Sequence, residues 1–437
     1  VDFALNDEQL VTTDGEESVT DVISSMELAD LIGGVGNNTL DAADFTGIVA
    51  LSGGDGDDVI SGGSGNDDLD GGAGNDQLDG GAGDDALDGG SGDDVMSGQA
   101  GMDSLHGGSG DDDLDGGSGD DAMFGQEGMD ELTGGDGNDQ IDGGADTDQI
   151  VEATDADFDL GDGELVIDNG NGTPETDSLT GIEDANLSGG DGDNTIDAVD
   201  FSGDVTLGGG AGDDELLGGS GNDALDGGAG DDEIDGRGGN DTMTGGDGAD
   251  SMTGGIGEDA ILESGDANFT LSDDSLITDD GSPETDQLVG VENADLTGGE
   301  SDNTIDASEF DGDTTISGGA GDDQLTGGGG ADVIDGGDGA DIMNGGDGND
   351  SLHGGGGADN LQGAGGDDMI NAGGDADMID GGDGDDALFG GAGNDQFAGG
   401  AGADEIDGQG GNDTMTGGDG ADSMTGGVGE DVILESG

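Results

Sequence analysis

The feature that most constrains this chain is a nine-residue period. From Gly318 to Leu434, thirteen consecutive units without an insertion fit G-G-x-G-x-D-x-U-x, where U is apolar. Position six is Asp every time, from Asp323 to Asp431, and position eight is apolar every time, from Leu325 to Ile433. Two more arrays keep the pattern, eleven units over 53–151 and six over 209–262, for 30 units in all. One obligatory apolar position in nine excludes an amphipathic helix, which needs apolar residues at i, i+3, i+4 and i+7. The period suits a short strand, x-U-x, and a six-residue turn, G-G-x-G-x-D. Glycines permit the positive φ of a tight turn and let backbone carbonyls approach a ligand. Two units then close one flattened coil of a solenoid, and each residue stacks on its equivalent two units further on.

That stacking sets the position-six carboxylates above one another along each edge. Strands pair about 4.8 Å apart, and carboxylates at that spacing repel unless a cation lies between them. A hard divalent cation with six or more oxygen ligands suits Asp carboxylates and turn carbonyls, which favours Ca²⁺ over Mg²⁺ or zinc. With no Cys and two His, the usual zinc site is not available. An acidic, glycine-rich disordered chain has no reason to keep an apolar residue every nine positions.

These arrays resemble the RTX (repeats-in-toxin) family of calcium-binding nonapeptide repeats, of the large tandem-repeat extracellular structural or adhesin kind. The resemblance implies an all-β fold, a calcium-stabilised parallel β-roll. It also implies calcium held by turn carbonyls and the position-six Asp. In the first array these are Asp58, Asp67, Asp76, Asp85, Asp94, Asp103, Asp112, Asp121, Asp130, Asp139 and Asp148. In the second they are Asp214, Asp223, Asp232, Asp241, Asp250 and Asp259. In the third they are Asp323, Asp332, Asp341, Asp350, Asp359, Asp368, Asp377, Asp386, Asp395, Asp404, Asp413, Asp422 and Asp431. The family is extracellular, usually exported by a type I system, and folds on meeting calcium outside the cell. Some units depart from the pattern. Position two is Gln99, Gln126, Arg237, Ala364 or Gln409, and position one is Ala372. Position four departs from Gly at Asp146 and in the unit that starts at Ala372. The position-four changes are the more disruptive expectation, because that turn residue needs a left-handed backbone.

Charge points the same way. The 437 residues include 112 acidic side chains and one basic one, Arg237, for a formal charge of −111. Such a charge opposes compaction. If each ion needs two turns of one edge, the arrays enclose about 24 calcium ions, roughly two dozen, which cancel a little under half of that charge. Folding is then linked to binding. Nucleic acid is excluded as a partner. Further copies of the repeat joined end to end, or an acidic glycan or mineral surface reached through calcium, fit better. No apolar run is long enough to span a membrane. The absence of Cys is compatible with an oxidising exterior. DVILESG at 431–437 could pass for a type I export signal, but DAILESG recurs internally at 259–265, so it reads as an array ending.

The chain reads as three copies of a larger unit, 1–152, 153–265 and 266–437, each a β-rich head followed by a roll. The heads are anchored by Phe: VDFALNDEQLV, ADFDLGDGELV and ANFTLSDDSLI. Alternation around Phe158–Leu160 and Leu165–Ile167 predicts short strands. Two heads continue through GTPETDSLTGIEDANLSGG and GSPETDQLVGVENADLTGG, which hold the chain's two prolines, Pro174 and Pro283. A variant repeat follows, with Asn38, Asn194 or Asn303 in place of Asp, and these turns are expected to bind calcium weakly or not at all. Each is followed by an eleven-residue insert with Phe45, Phe201 or Phe310, read as one wider coil that packs an aromatic over the end of the roll. At the array ends position nine turns apolar, at Val151, Leu262 and Leu434, as if the coil hands its core to the next head.

Other side chains carry weaker signals. His106 and His353 sit at position nine, two units after Asp88 and Asp335, and read as solvated surface pairs rather than acid–base pairs. Met at position eight, as at Met96 and Met243, reads as core filling. Met102 and Met129 fall in turns, and Phe124 and Phe389 at an outward position; the pattern accounts for none of them. No Ser or Cys nucleophile has a base partner, so the chain reads as a non-enzyme. The function expected is an extracellular or cell-surface structural protein: a filament, surface-layer or adhesin rod segment that rigidifies on binding calcium. The alternative is a calcium-folded export module of a secreted enzyme or toxin.

Overall fold

The computed structural model describes residues 2–14, 17–22 and 26–434. Every element among them is a strand. Contacts divide the chain into two compact units, one of Val1–Gly210 with Glu215–Asp223, the other of Ala211–Asp214 with Ala224–Gly437.

In the first unit, the apolar position-eight residues make two stacked columns. Leu69, Leu87, Leu105, Met123 and Ile141 pair in register in one parallel sheet. Ile60, Leu78, Met96, Leu114, Leu132 and Ile150 do so in the other. Each step along a column advances by two repeats, so one coil is two repeats as expected, and every one of these side chains is buried. The core is therefore a thin layer between two sheets, and the methionines in it fill space as expected.

Glu215–Leu217, Gln324–Thr326, Glu405–Asp407 and Ser423–Thr425 keep the expected x-U-x length, and most other array strands are longer. Asp113–Ser118 and its equivalents run from position seven through position three of the next repeat, leaving a turn of three residues, G-x-D. The reason is the period-two alternation of a strand. With position eight inward, the glycine at position one is the next inward residue. A Cβ on Gly116 would meet Asp121 Oδ2 and the Gly134 carbonyl oxygen, each at 2.8 Å. Glycine is needed there for space. At positions two and four it is needed for backbone conformation, as at Gly72 (φ 107°) and Gly74 (φ 133°).

The departures concentrate strain at position two as well as position four. Gln99, Gln126, Arg237, Ala364 and Gln409 hold φ from 61° to 83° at position two. Position four is Asp in both exceptional repeats, Asp146 at φ 83° and Asp375 at φ 74°.

The head is built into one sheet. Asp157–Gly161, Glu164–Asp168 and Glu175–Thr180 form an antiparallel meander. Its last strand continues the array in parallel, Ile141 against Leu179, and its first strand pairs forward, Phe158 against Ile196. The other sheet runs past without interruption, Ile150 against Ala185 and Ala185 against Val205. The strands expected around Phe158 and Leu165 are present, and their apolar residues are buried. The insert makes a coil two residues wider than the regular one, with Leu40 against Ile60 and Ala29 against Val49, and buries Phe45 as anticipated.

The second unit repeats these devices. Its head strands Asn268–Ser272, Ser275–Asp279 and Glu284–Val289 form the same meander, Met252 pairs with Leu288, and Phe269 with Ile305. Phe310 closes another widened coil, in which Ile305 pairs with Leu325.

One expectation is corrected. Val151 is half-buried and Leu262 is 41% exposed, whereas the residues after them, Glu152 and Glu263, are buried at 5% and 8% exposure. The alternation of the strand turns position nine outward and the next residue inward.

Candidate metal centre

Each position-six Asp ends a turn, directly before a strand. There its carboxylate folds back under the coil. In the first unit, the backbone N–H of Asp58 donates to Asp76 Oδ1 at 2.7 Å, Asp76 to Asp94 at 2.7 Å and Asp94 to Asp112 at 2.8 Å. Asp112 to Asp130 and Asp130 to Asp148 extend the column at 2.9 Å each. The opposite edge runs Asp67, Asp85, Asp103, Asp121, Asp139, each step 2.7 Å. The second unit has the same columns, for example Asp323 to Asp341 at 2.8 Å and Asp350 to Asp368 at 2.9 Å.

One oxygen of each carboxylate is thus fixed by backbone. The other, Oδ2, is buried without a hydrogen-bond partner on every member from Asp58 to Asp148 and on Asp341, Asp350, Asp359, Asp368, Asp377, Asp386, Asp395, Asp404 and Asp413. A buried anionic oxygen with no partner is costly. Burial pushes the members from Asp58 to Asp148 and from Asp341 to Asp404 upward, and neighbouring carboxylates add to it at most of them. Asp103 and Asp112 are pushed up to about 7, Asp350 to about 7, and Asp139 to about 8.

Two positions differ. Asp332 Oδ1 accepts from the N–H and hydroxyl of Thr314, and its Oδ2 accepts from Gly328 N–H at 2.7 Å. Asp223 accepts from Val205 N–H and Gly219 N–H. Both follow a Phe insert, and the strand before each, Glu215–Leu217 or Gln324–Thr326, stops short of the glycine pair. Asn303 is likewise tied off, accepting from Gly299 N–H and donating to the Ala267 carbonyl. At the far end of the third array, Asp422 and Asp431 are half-buried.

The columns do not stop at the arrays. Asp139 N–H donates to Asp177 Oδ1 at 2.8 Å and Asp148 N–H to Glu183 Oε2 at 3.2 Å. In the second unit Asp250 donates to Asp286 at 3.0 Å and Asp259 to Glu292 at 3.0 Å. Sequence reasoning missed these four. The signal was there: Asp177-Ser178-Leu179 and Asp286-Gln287-Leu288 are D-x-U, the end of a repeat without its glycines.

A second column runs outside the first in the opposite sense. Position-five N–H groups donate to the side chain one coil earlier, as Asp111 to Asp93 at 3.1 Å. Met102 and Met129 occupy this position, so their N–H groups join the column while their side chains stand exposed. His106 pairs in register with Asp88 and stacks on Phe124, ring centroids 4.9 Å apart. His353 lies between Asp335 and Asn371.

The donor set fits a hard, oxygen-seeking cation: one orphaned carboxylate oxygen in most repeats, in a glycine turn rich in carbonyls. Among the described residues no three His, Cys, Asp or Glu side chains converge as a preformed metal site. That is consistent with sites in which backbone supplies most of the oxygens.

A family model described as the RTX calcium-binding nonapeptide repeat matches residues 52–151, 202–261 and 310–433, well over half the chain. Nine solved chains match as well. One is the extracellular lipase LipA from Serratia marcescens, at 19% identity and a TM-score of 0.18, covering 44% of this chain and 38% of the lipase. A search of curated proteins finds no match.

Proposed function

We propose, on the premise that this chain belongs to the RTX calcium-binding nonapeptide-repeat family, that it is an extracellular structural protein whose coils fold and stiffen as the carboxylate columns fill with calcium. The observation that carries the reading is the long series of buried, half-satisfied Asp carboxylates, from Asp58 to Asp148 in the first array and from Asp341 to Asp413 in the third. Bound calcium supplies the positive charge and the oxygen-seeking coordination that these columns lack. The chain's own groups do the rest. Position-six Asp presents Oδ2, its Oδ1 locks the coil before it, and glycine turns bring carbonyls close.

Occupancy of roughly two dozen ions follows from the repeat count. Because both edges of the arrays consist of the same carboxylates, any partner is cationic, calcium-bridged or a further copy of the repeat. The test is a calcium titration of the calcium-free chain, followed by circular dichroism in the far ultraviolet and by particle length in electron micrographs. A cooperative gain of β-structure with stiff particles that join end to end supports the structural reading. A chain that folds yet stays short and monomeric favours an export or stabilising module. A chain that does not respond at millimolar calcium defeats both.

A further inference from the structure

Each regular coil has the same cradle above its position-one glycine. Over Gly116 the place a Cβ would take lies 2.8 Å from Asp121 Oδ2 and 2.8 Å from the neutral carbonyl oxygen of Gly134. One coil later, over Gly134, that carbonyl is gone. Asp139 Oδ2 stands at 2.8 Å and Glu152 Oε1 at 3.3 Å. Glu152 is 5% exposed, and its Oε1 accepts from Gly134 N–H at 2.8 Å and Gly135 N–H at 3.1 Å. Asp177, on the head strand, takes the N–H of Asp139. The Oδ2 atoms of Asp139 and Asp177 are buried and unpartnered, in residues at 2% and 0% exposure.

The second unit repeats the hydrogen bonds, with Asp250 Oδ2 standing 2.5 Å from the place of a Cβ on Gly245. Glu263 Oε1 accepts from Gly245 N–H at 3.2 Å, Asp250 N–H donates to Asp286 Oδ1, and Asp250 Oδ2 is buried without a partner. A cleft lies beside each triad. One, of about 390 Å³, is lined by Asp136, Glu152 and Glu175; the other, of about 480 Å³, by Asp247, Glu263 and Glu284.

Hydrogen bonding to the two glycine N–H groups does not explain a charged residue here. Gln would accept from both N–H groups equally, and in a regular coil such as that of Gly116 a neutral carbonyl stands at the same cradle. A buried carboxylate set beside two more is unfavourable unless a cation compensates.

We propose that Asp139, Glu152 and Asp177, and again Asp250, Glu263 and Asp286, form two terminal cation sites for a hard divalent ion of the calcium class. This rests on the reading that the columns take calcium. In the first unit Asp139 Oδ2 and Glu152 Oε1 face the cradle, Asp177 adjoins it through its bond to the Asp139 N–H, and binding draws the three together. With an added carboxylate in place of a carbonyl, these sites bind more tightly than the repeats and fill first. The clefts give the ion its way in.

The test is calorimetric titration of calcium into the calcium-free full chain. Two ions are expected to bind ahead of the rest, roughly tenfold or more tightly. Glu152→Gln with Glu263→Gln, which keeps both acceptors, should remove that class and leave the later cooperative phase. Glu263→Gln alone should leave one early ion. The proposal is overturned if the parent shows no early two-ion class, or if the double variant retains it. Should the double variant not fold at saturating calcium, Asp177→Asn with Asp286→Asn is read by the same criterion. A parent that binds no calcium at all is a separate outcome, and it removes the column reading itself.

Discussion

The backbone N–H of Asp139 donates to Asp177 Oδ1 at 2.8 Å, the same bond that Asp121 makes to Asp139 one coil earlier, although the chain between the partners is twice as long. The head is therefore built as a continuation of the carboxylate column, with a hairpin looped out of one sheet. Cutting this bond tests how far the head stabilises the roll. Asp177→Ala leaves a buried N–H without its acceptor, a loss of about 1–3 kcal/mol. The calcium midpoint of folding should rise accordingly, while Asp159→Ala, on an outward-facing strand position, should leave it unchanged.

Protons and calcium should compete for the columns. Burial, reinforced by neighbouring carboxylates, raises Asp85 and Asp94 to about 6, Asp103 and Asp112 to about 7 and Asp139 to about 8, from an ordinary value of 3.8. A pKa raised on folding means that the coil holds protons the unfolded chain has released. That contribution to stability is fully present below about 4 and is lost as pH rises through 6 to 8. Without calcium, acidification from pH 8 to pH 5 should raise β-structure, read by circular dichroism. At pH 7, calcium uptake should release protons, read in a pH-stat. A calcium-free chain indifferent to pH in that range contradicts the assignment.

Asp332 and Asp350 make a matched pair. Both oxygens of Asp332 are already satisfied by Thr314 and Gly328, whereas Asp350 Oδ2 has no partner. Asp350→Asn should lower the number of calcium ions bound, measured by equilibrium dialysis. Asp332→Asn should leave that number unchanged.

Glycine plays two roles that mutation can separate. Gly116→Ala puts a Cβ 2.8 Å from both Asp121 Oδ2 and the Gly134 carbonyl, and should break the calcium-loaded coil locally. Gln99→Gly relieves a residue held at φ 72° and should stabilise the loaded protein by about 1 kcal/mol. Thermal melts at saturating calcium distinguish the two signs.

Phe310 is 1% exposed inside the widened coil that opens the third array. Phe310→Leu, which preserves most of the volume, should cost far less than Phe310→Ala, for which about 3–5 kcal/mol is expected. Denaturant melts in calcium measure both.

The sequence by itself determined the coil. A nine-residue period with one apolar position and one Asp admits a two-repeat turn, so the columns through Leu69 and Ile60 and the stacking of Asp58 on Asp76 could be written down in advance. The wider coils at Phe45 and Phe310 were legible too, because an insert of fixed length interrupts a fixed period. Only the tertiary structure decided which strand residue turns inward after the apolar one. Local alternation carries the inward face from Leu114 to Gly116, and at array ends from Ile150 to Glu152, so the buried residue there is an acid rather than Val151. It also decided that Asp177, Glu183, Asp286 and Glu292 complete the columns. Their partners lie about twice the regular coil length away in the chain, and the hairpins between them erase the period that made the other carboxylates readable.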